Sequence, residues 1–573
     1  MPPHIMPRPG YTGTSLSIDL SDRQVRVIET PAHLVENYLG GRGVGVALIA
    51  DCITSAFDAP EMPLVFTTGP LVGTAAPTSG RMAVVSRSPL TGTVFDCSVG
   101  GRFGTELKKA GYDFLDIRGI ASNWVAITIE NDRVSFEDAS YLHGRGVSEV
   151  RKALERFPSC AAIGRAGETR VRFASIVMDG HYCAGRGGLG AVMGAKRLKA
   201  IAVKGDREVE VADKDGLRKA REDIMRLLRA SQAVFGEFGL SRFGTAALVD
   251  LIHARRMEPT MHFTKTFFPD AGAYSGYAMA TAYRTKRTGC AGCPILCKKV
   301  GARGEVIPEF ETVSHFGALN GCNDLVTIIE ANRLCNEYGM DTISAASTIA
   351  CYGEVSGRWV QHRETLALLT AISEREGEIG NILAEGSLRY ARTKGCPELS
   401  MSVKGLELPA YDPRGAYGMA LAYATSNRGG CHLRAYPVSH EILRKPVATD
   451  RFSFEGKARI IKIAEDLNAV VDSLTACKFV FFAAGLEEYA KAVNAVTGLQ
   501  HDVQSLLAVG ERIWNLERRL NGLNGFDSTM DDLPPRFFTE PGSSGGQIAV
   551  NPIDRGAFLK AREDYYRIRG YQL

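Results

Sequence analysis

The sequence predicts an α+β protein in which a β-rich N-terminal domain precedes two mainly α-helical domains. Strand-like apolar runs separated by glycine-rich turns recur up to about residue 204. From about residue 212 the apolar residues follow helical spacing instead. A chain of 573 residues is long enough for about three or four domains. We place the domains at 1–206, 207–405 and 406–573.

The strands and helices follow from local patterns. Residues 11–30 predict two strands joined by a polar Ser-Asp turn. Further strands are predicted at PLVFTTG (63–69), MAVVSRS (82–88), WVAITIE (124–130) and KAIAVKG (199–205). Helices are predicted at 213–235, where Asp213 is a suitable N-cap, and at 326–339, 363–376 and 502–523. The segment 528–546 has the composition of a loop and is expected to wrap the surface.

Composition excludes several classes of protein. The net charge of +4 is too small to indicate nucleic acid or an anionic membrane as the main partner. No apolar run approaches the length of about 18 residues that a membrane span needs. Residues 1–15 lack the apolar core of a signal peptide, so a cytoplasmic protein is predicted.

The chain has 13 cysteines, an odd number spread thinly, which is not the pattern of a disulfide framework. Isolated cysteines are usually buried as small apolar side chains. We expect this of Cys52, Cys160, Cys351 and Cys396.

Three cysteines are clustered in TGCAGCPILCKKVG (288–301), where Cys290, Cys293 and Cys297 have the spacing C-x2-C-x3-C. Zinc usually takes two paired C-x2-C knuckles, and the chain has no second pair. A redox C-x2-C would leave Cys297 without a role. An iron–sulfur cluster, held by a tight group and one distant cysteine, fits best. Spacing does not select the distant ligand among the ten other cysteines, although Cys477 in DSLTACKF is a candidate.

Three glycine-rich loops, at 40–48, 98–111 and 184–201, each precede a predicted helix. Glycine lets a ligand approach the backbone, and a helix N-terminus attracts phosphate. Each loop also carries an arginine that can bind phosphate through its guanidinium fork, namely Arg42, Arg102 and Arg186. Three such loops favour a large phosphate-bearing ligand over simple tight turns. No loop has the complete G-x-G-x-x-G pattern, and no Walker A lysine is present.

A series of longer segments follows one family order along the chain. They include GGRGVG, TGPLVGTAAPTSGRMAVVSRSPLTG, SVGGRFGTELKKAGYDFLDIRG, AGRGGLGAVMGAKRLKAIAV, CAGCPILC, PEFET, NEYGMDTIS, YDPRGAYG, ATSNRGGCHLRA, DSLTAC and YYRIRGY. Through them the sequence resembles the aldehyde:ferredoxin oxidoreductase family of tungsten enzymes over nearly its whole length. The resemblance implies two pyranopterin-dithiolene cofactors that hold tungsten or molybdenum, a bridging Mg²⁺ and a [4Fe–4S] cluster, at a site where the three domains meet.

The resemblance also assigns residues. The cluster ligands are Cys290, Cys293, Cys297 and Cys477. The pterin contacts are Arg81, Ser98, Gly100, Gly101, Arg186, Gly187, Gly188, Gly190, Asn336, Asp341 and Asp472. In DSLTAC a threonine stands where the family has glycine, and Asn336 replaces the aspartate expected in NEYGMD. An asparagine oxygen accepts a hydrogen bond without charge, so weaker pterin anchoring is expected there.

Catalysis is expected to depend on Glu311 in PEFET and His432 in RGGCHLRA, by resemblance to the family's active-site glutamate and histidine. Cys322 lies eleven residues after Glu311 and is either a buried thiol or a tungsten ligand of the kind found in the related benzoyl-CoA reductases. Some family members bind a further iron through an E-x-x-H helix. The matching stretch here, 330–333, ends in arginine, so that site is predicted to be absent.

Three functions are consistent with these residues. The first is oxidation of aldehydes to carboxylic acids, with electrons passed through the cluster to ferredoxin or a ferredoxin-like small subunit. The second is low-potential reduction of an activated acid or an aromatic CoA substrate. The third is an electron-transfer or scaffold subunit without turnover, which the presence of both Glu311 and His432 disfavours. Lys298 and Lys299, beside the cluster motif, are predicted to form a docking patch for an acidic ferredoxin. The sequence leaves open whether the chain forms a homo-oligomer or a hetero-oligomer.

Overall fold

The computed structural model describes residues 8–572. A β-rich N-terminal part with two six-stranded sheets precedes a mostly helical remainder, so the predicted fold class is confirmed. The predicted lack of a signal peptide concerns residues 1–15, and residues 1–7 lie outside the described residues. Between residues 8 and 572, no helix combines the length and the apolarity that crossing a membrane requires. The domain boundaries at 206 and 405 stay a prediction.

The described strands form two large sheets and two short hairpins. They lie at Thr14–Asp19 (β1), Gln24–Glu29 (β2), Leu64–Thr67 (β3), Met82–Arg87 (β4), Val94–Val99 (β5), Phe114–Arg118 (β6), Val125–Glu130 (β7), Arg133–Asp138 (β8), Ser159–Ala162 (β9), Ile176–Met178 (β10), Tyr182–Ala184 (β11), Leu198–Lys204 (β12), Lys286–Thr288 (β13), Lys298–Val300 (β14), Ser402–Val403 (β15) and Leu406–Glu407 (β16).

The first sheet has the strand order β2-β1-β6-β3-β4-β5, with β1 and β6 parallel and the other pairs antiparallel. The second has the order β11-β10-β9-β12-β7-β8, with β7 and β12 parallel. Five of the six residues of β4 are buried, because both faces of this strand are covered. All six strands that the sequence predicted are confirmed.

The helices fill most of the chain after residue 213. The α-helices lie at Ala32–Tyr38 (α1), Gly41–Leu48 (α2), Phe103–Lys109 (α3), Val147–Ala153 (α4), Arg165–Glu168 (α5), Leu189–Ala195 (α6), Lys214–Ala230 (α7), Gln232–Phe235 (α8), Leu240–Phe243 (α9), Leu248–Ala254 (α10), Gly276–Tyr283 (α11), Phe310–Phe316 (α12), Leu325–Tyr338 (α13), Thr342–Val355 (α14), His362–Glu374 (α15), Gly377–Leu383 (α16), Ser387–Thr393 (α17), Tyr417–Thr425 (α18), Val438–Glu441 (α19), Lys457–Ser473 (α20), Leu486–Thr497 (α21), Val503–Leu523 (α22), Arg536–Thr539 (α23) and Arg555–Arg569 (α24).

Helix α7 shows why the predicted helices form. The carboxylate of Asp213 accepts a 2.8 Å hydrogen bond from the backbone N–H of Gly216, which confirms the predicted N-cap. The residues that α7 buries recur every three or four positions and face α21, namely Leu217, Ala220, Ile224 and Leu228. Predicted helices at 326–339, 363–376 and 502–523 are confirmed as α13, α15 and α22.

The segment 528–546 does not simply wrap the surface. Phe537, in the short helix α23, is fully buried and contacts the ring of Phe263 edge-on at a centroid distance of 5.6 Å. Burying one such side chain stabilises the fold by about 1.5–3 kcal/mol. This stretch therefore contributes to the core, contrary to the prediction.

The 13 cysteines are free thiols, so the prediction that they form no disulfide framework is confirmed. Cys160 and Cys351 are buried as expected, while Cys52 and Cys396 are only partly buried.

The fold brings distant segments to one place. Helix α2 packs against β3, β4 and β5 on one side and against α20 and α22 on the other. The loops that follow β5 and α20 therefore converge beside the hairpin β13–β14.

Candidate active site

The four cysteines assigned to a cluster come together. The hairpin β13–β14 carries Cys290, Cys293 and Cys297 in its connecting loop, and Cys477 follows α20. Burial raises the pKa of the Cys293 thiol to about 12, and the negative charge of a neighbouring Cys477 thiolate adds to the shift. Burial and the charges of Cys477 and Cys290 also raise the pKa of Cys297. The four thiols are thus close enough to act on one another electrostatically.

The loop after β5 closes against this group. The backbone N–H of Ala291 donates to the carbonyl oxygen of Gly101 at 3.1 Å, and that of Cys477 donates to Thr78 at 3.0 Å. A Cβ atom on Gly100 would stand 2.4 Å from the sulfur of Cys290. Since real Cβ atoms do not approach so closely, only glycine lets the loop meet the thiol here.

Arg81 lies beside the same cysteines. Its Nε donates to the Ser98 hydroxyl at 2.9 Å, and its Nη2 donates to the Ser98 carbonyl oxygen at 2.7 Å. Burial works against the charge of Arg81, yet the thiolates of Cys477 and Cys290 and the carboxylate of Asp472 hold its pKa above the usual value. Arg81 therefore stands between the cysteines and the region of Asp472.

The donor set fits an iron–sulfur cluster better than a single ion. Among residues 8–572, no three His, Cys, Asp or Glu side chains are close enough together to hold one metal ion. Four cysteine thiolates are the ligand set of a [4Fe–4S] cluster, and the four cysteines here are close enough to influence one another's pKa values. The residues present thus fit the cluster that the resemblance implies.

A network of buried charges lies next to Arg81. Arg42 donates to both carboxylate oxygens of Glu517, at 2.6 and 2.7 Å. Arg434 pairs with Asp96 and, at 3.2 Å, with Asp472. Asp472 also accepts a 2.5 Å hydrogen bond from Lys478. Each of these six side chains is mostly removed from solvent, which is costly unless charges are paired.

Some hydrogen-bond donors in and beside this network have no partner among the described residues. Three buried nitrogen atoms have no hydrogen-bond partner within the described chain, namely Arg42 Nη1, Arg434 Nε and Trp514 Nε1. A buried unpaired donor costs about 1–3 kcal/mol, so native proteins satisfy such groups with a ligand or water. Two arginines with spare donors suit a cofactor that carries phosphate and a polar ring.

The three loop arginines have different surroundings. Arg42 is held by Glu517, while Arg102 has a side chain that is 60% exposed and lies 3.6 Å from Glu106. Arg186 is buried, donating to Asp341 at 3.2 Å and to the backbone oxygens of Gly430 and Glu407. Of the three, Arg186 is the one close enough to Glu311 and His432 to influence their pKa values.

Asp341 caps helix α14, where it accepts hydrogen bonds from the N–H of Ile343 and the hydroxyl of Ser344. Asn336 accepts a weak 3.5 Å hydrogen bond from the Cys183 thiol. Both side chains thus have partners inside the protein.

The glycines of the third loop are explained by packing. Gly188 has a φ angle of +86°, and a Cβ there would stand 2.0 Å from the Arg172 carbonyl oxygen. At Gly187 the neighbour is the Phe95 ring, and at Gly190 it is the Ser175 carbonyl oxygen. These positions require glycine whether or not a ligand is bound, and their assignment as pterin contacts stays a prediction.

Glu311 and His432 come together although they lie far apart in the chain. Glu311 is in the first turn of α12, and its Oε2 accepts a 2.8 Å hydrogen bond from the N–H of Ala410. Its Oε1 lies 3.4 Å from His432 Nε2 and has no hydrogen-bond partner in the described chain. Burial raises the pKa of Glu311 to about 8. A carboxyl with this pKa can exchange a proton near neutral pH.

His432 is held in the neutral form. Burial, together with the positive charges of Arg186 and Arg428, holds its pKa well below the usual value. Its Nδ1 has no hydrogen-bond partner in residues 8–572. The ring centroids of Tyr411 and Tyr436 lie 5.7 and 6.2 Å from the imidazole, and the two tyrosine hydroxyls are 3.1 Å apart. Two tyrosine rings thus lie beside the imidazole of the Glu311–His432 pair.

Sequence reasoning missed His315, a neighbour of this pair, and the hydrogen bond that Cys431 accepts. His315 lies one turn after Glu311 on α12, with Nδ1 2.6 Å from the Glu311 carbonyl oxygen and Nε2 3.1 Å from that of Leu408. Its i, i+4 spacing from Glu311 was the available signal. The sulfur of Cys431 accepts a 2.9 Å hydrogen bond from Arg428, and Arg428, Arg434 and Arg186 lower its pKa despite burial. Nothing local in the sequence indicates that contact.

Cys322 has a different environment from His432. It is 5% exposed, and its sulfur lies 3.8 Å from the Asp324 carbonyl oxygen. Burial raises the pKa of its thiol. These contacts are those of a packed thiol, and the tungsten-ligand alternative stays a prediction. In the stretch 330–333, where the further iron site of some family members is predicted to be absent, Arg333 donates two hydrogen bonds to Glu330, at 2.8 and 2.6 Å.

The two lysines after the cluster motif are not a surface patch. Lys298 forms an ion pair with Glu309, since its Nζ lies 3.3 Å from the Glu309 carboxylate. Lys299 is 4% exposed and donates to the Leu296 carbonyl oxygen at 2.8 Å. The prediction that the two lysines form a docking patch is wrong for Lys299, because β14 turns that side chain inward.

Comparison with known proteins places this arrangement in one family. Residues 15–205 match the N-terminal domain of aldehyde ferredoxin oxidoreductase, and residues 219–573 match its domains 2 and 3. The chain is 40% identical to the tungsten-containing aldehyde ferredoxin oxidoreductase of Pyrococcus furiosus, over 98% of this chain and 96% of the relative. It is 39% identical to the protein of that name from Thermococcus kodakarensis, with the same coverage of each chain.

More distant similarities agree. A WOR-like subunit of an aliphatic sulfonate oxidoreductase from Pyrococcus furiosus is 29% identical over 98% of this chain and 94% of its own length. Among solved structures, the active-site complex BamBC of benzoyl coenzyme A reductase superposes with a TM-score of 0.84 at 23% identity, covering 99% of this chain and 95% of that one. The latter similarity shows a common fold. By its matching domains and its full-length relatives, the chain belongs to the aldehyde ferredoxin oxidoreductase family.

Proposed function

We propose that the chain is an oxidoreductase that converts aldehydes to carboxylic acids at a tungsten or molybdenum bis-pyranopterin centre. A [4Fe–4S] cluster held by the chain would supply the path for electrons to ferredoxin or a ferredoxin-like subunit in the cytoplasm. The observation that carries the proposal is the buried pair Glu311–His432, with unpartnered Oε1 and Nδ1 atoms. A scaffold or electron-transfer subunit has no need of such a pair.

The chain's residues divide the binding of these groups. Cys290, Cys293, Cys297 and Cys477 would hold the cluster, with Arg81 adjacent. The pterins and their phosphates, with Mg²⁺, would be held by Asp472, Arg186 and the loop at 98–101, to which the structure adds Arg42 and Arg434. When bound, the metal centre supplies the two-electron acceptor for the oxidised carbon.

The two catalytic side chains have complementary tasks. Ionised Glu311 takes the proton of the attacking water at Oε1, the oxygen that has no partner in the described chain. Neutral His432 donates its ring N–H to the aldehyde oxygen and so stabilises the charge that develops there. The hydrogen bond from Ala410 N–H to Oε2 holds the Glu311 carboxylate in place. Tyr411 and Tyr436 limit the access of bulk water, which strengthens both interactions.

Anaerobic purification, metal analysis and an aldehyde panel with a viologen dye test the function. We expect tungsten or molybdenum, about four iron atoms per chain and dye reduction by at least one aldehyde. A metal-loaded protein that reduces no dye with any aldehyde would contradict the proposal. Reduction of an activated acid by the same preparation would favour the second function.

The electron acceptor is expected to dock on a basic face beside the cluster cysteines. This face comprises four exposed cations, Arg242, Arg284, Lys286 and Arg287. Within residues 8–572, none of the four forms an ion pair with a carboxylate. The chain has no acidic residue from 271 to 304. An unpaired basic surface of this kind attracts an acidic partner.

The basic face is joined to the cysteine loop by direct contacts. Lys286 and Arg287 lie on β13, whose last residue stands two positions before Cys290. Arg287 donates to the Ser241 hydroxyl at 3.3 Å, which links β13 to α9 and Arg242. Gly292, in the loop itself, is exposed. A small iron–sulfur protein bound here would bring its cluster close to the four cysteines.

Charge reversal at Lys286 and Arg287 (Lys286→Glu with Arg287→Glu) is expected to slow electron transfer to an acidic ferredoxin by about tenfold or more at low salt. The reason is loss of electrostatic steering, which salt screens over a Debye length of about 8 Å at physiological ionic strength. Ferredoxin reduction is measured by stopped flow at several salt concentrations, beside reduction of a viologen dye.

The matched control is Arg392→Glu with Lys394→Glu, two exposed cations at the end of α17 that also lack an ion pair in the described chain. The control should leave ferredoxin reduction unchanged, and both variants should keep the dye rate. Equal slowing by the two double variants would show that only net charge matters and would remove the basic face.

A further inference from the structure

A second site lies away from the cysteines and the catalytic pair. A cavity of about 400 Å³ opens between the end of α10 and the segment that links α19 to α20. Its lining is Arg255, Glu441, Ile442, Arg444, Ala448, Thr449, Asp450 and Arg451. Sites for small ligands have volumes of about 300–1,000 Å³. None of these residues belongs to the cofactor or catalytic groups described above.

Three arginines with no acidic partner converge on this cavity. Within residues 8–572, Arg255, Arg444 and Arg451 form no ion pair with a carboxylate. Arg451 is fixed, because its Nη1 donates to the backbone oxygens of Arg255 and Gly415 at 2.7 and 3.2 Å. It also lies over the Phe452 ring at 4.4 Å from the centroid. Burial, followed by the charge of Arg255, lowers the pKa of Arg451. Like charges so placed are relieved by a bound anion.

The inner wall of the cavity is built from buried polar groups. Glu441 is 6% exposed, and its Oε1 accepts from Lys457 Nζ and from Gly418 N–H, both at 2.8 Å. Its Oε2 is buried and has no hydrogen-bond partner in the described chain. Lys457 also donates to the Thr449 hydroxyl at 2.7 Å.

Charge selects the class of ligand. The charge of Glu441 is offset by its ion pair with Lys457. The other charged residues of the lining are three arginines and Asp450, which together carry a net charge of +2. We propose that this cavity binds a small dianion, such as a phosphorylated polyol or a dicarboxylate. Guanidinium groups bind both phosphate and carboxylate oxygens through paired N–H donors.

The cavity is connected to the loop that carries part of the active site. The backbone oxygen of Arg451 accepts a 2.8 Å hydrogen bond from Tyr417 N–H at the start of α18. Asp412 N–H donates to the carbonyl oxygen of Met257, two residues after Arg255. The segment held at both points begins just after Ala410, whose N–H donates to Glu311. An anion bound to Arg255 and Arg451 would therefore brace this segment.

Isothermal titration of the purified holoenzyme tests the site. Glycerol 3-phosphate and malate are titrated separately, with acetate as the monoanionic comparison. We expect one of the two dianions to bind with a Kd below about 1 mM. The variant Arg255→Gln with Arg444→Gln should weaken that binding by about tenfold or more. Neither side chain has a partner in the described chain, so the fold should survive.

Arg392→Gln with Lys394→Gln, at the end of α17, is the control and should bind as the wild type does. Tighter binding of glycerol 3-phosphate identifies a phosphate site, and tighter binding of malate a dicarboxylate site. Absence of binding by either dianion up to about 10 mM, or equal binding by the two double variants, would overturn the proposal. The titration does not depend on turnover, so its outcome is separate from the proposed function.

Discussion

The variant His432→Ala is expected to retain its metals while turnover falls by about 10²–10⁴-fold. The imidazole is buried, and its Nε2 lies 3.4 Å from Glu311 Oε1. Its Nδ1 has no hydrogen-bond partner in the described chain. Because neither ring nitrogen contacts a cluster cysteine, iron and tungsten contents should not change. The measurements are kcat with the best aldehyde of the panel and metal analysis of the same preparation.

An exposed histidine supplies the control, since His33→Ala on α1 should leave kcat unchanged. The catalytic pair also predicts a pH profile. In the proposed mechanism Glu311 acts as a base when ionised, so we expect the wild-type rate to rise as the pH increases through about 8, the raised pKa of this carboxyl. Glu311→Gln should lower the rate and abolish this rise. A His432→Ala enzyme with a near-native rate would remove His432 from the mechanism.

Replacement of the distant cysteine is expected to have the second largest effect. Cys477→Ala should lower the iron content from about four atoms per chain and alter the EPR signal of the reduced protein. Cys477 lies four positions after the last residue of α20 and one before Lys478, which donates to Asp472 at 2.5 Å. Loss of the thiolate would therefore remove a proposed cluster ligand next to the proposed pterin region. Iron content is measured together with thermal unfolding, which reports whether the fold is retained.

Cys396→Ala is the matched control, because this thiol is partly buried and its nearest polar contact is the Ala391 carbonyl oxygen at 3.7 Å. It should keep full iron content. If Cys477→Ala retains four iron atoms and the wild-type EPR signal, Cys477 is not a ligand, and one of the other free thiols must complete the set.

Much of the fold was predictable because it depends on local patterns. Residue spacing over fewer than 25 positions was sufficient to predict the N-cap at Asp213 and the long helix α22. The same holds for the six predicted strands, which are β1, β2, β3, β4, β7 and β12. The cysteine trio was recognisable for the same reason. Motif order along the chain was sufficient to indicate the family before any contact was known.

The surroundings of individual side chains were less predictable. Lys299 was expected to belong to a docking patch, but β14 buries it among backbone oxygens. Phe537 was assigned to a surface loop and lies in the core. In both cases the local composition is polar or loop-like, and packing against remote segments decides the burial.

By itself, then, the sequence determined the order of strands and helices, the cysteine motif and the family, since each is encoded in neighbouring residues. Only the tertiary structure decided which groups become partners. Arg42 and Glu517 are separated by 475 positions, yet they share a buried two-point hydrogen bond. The pair Glu311–His432 and the three arginines around the second cavity arise in the same way. The Arg42–Glu517 contact forms because burial of the apolar surfaces of α2 and α22 brings their polar residues together, and no short stretch of sequence records such packing.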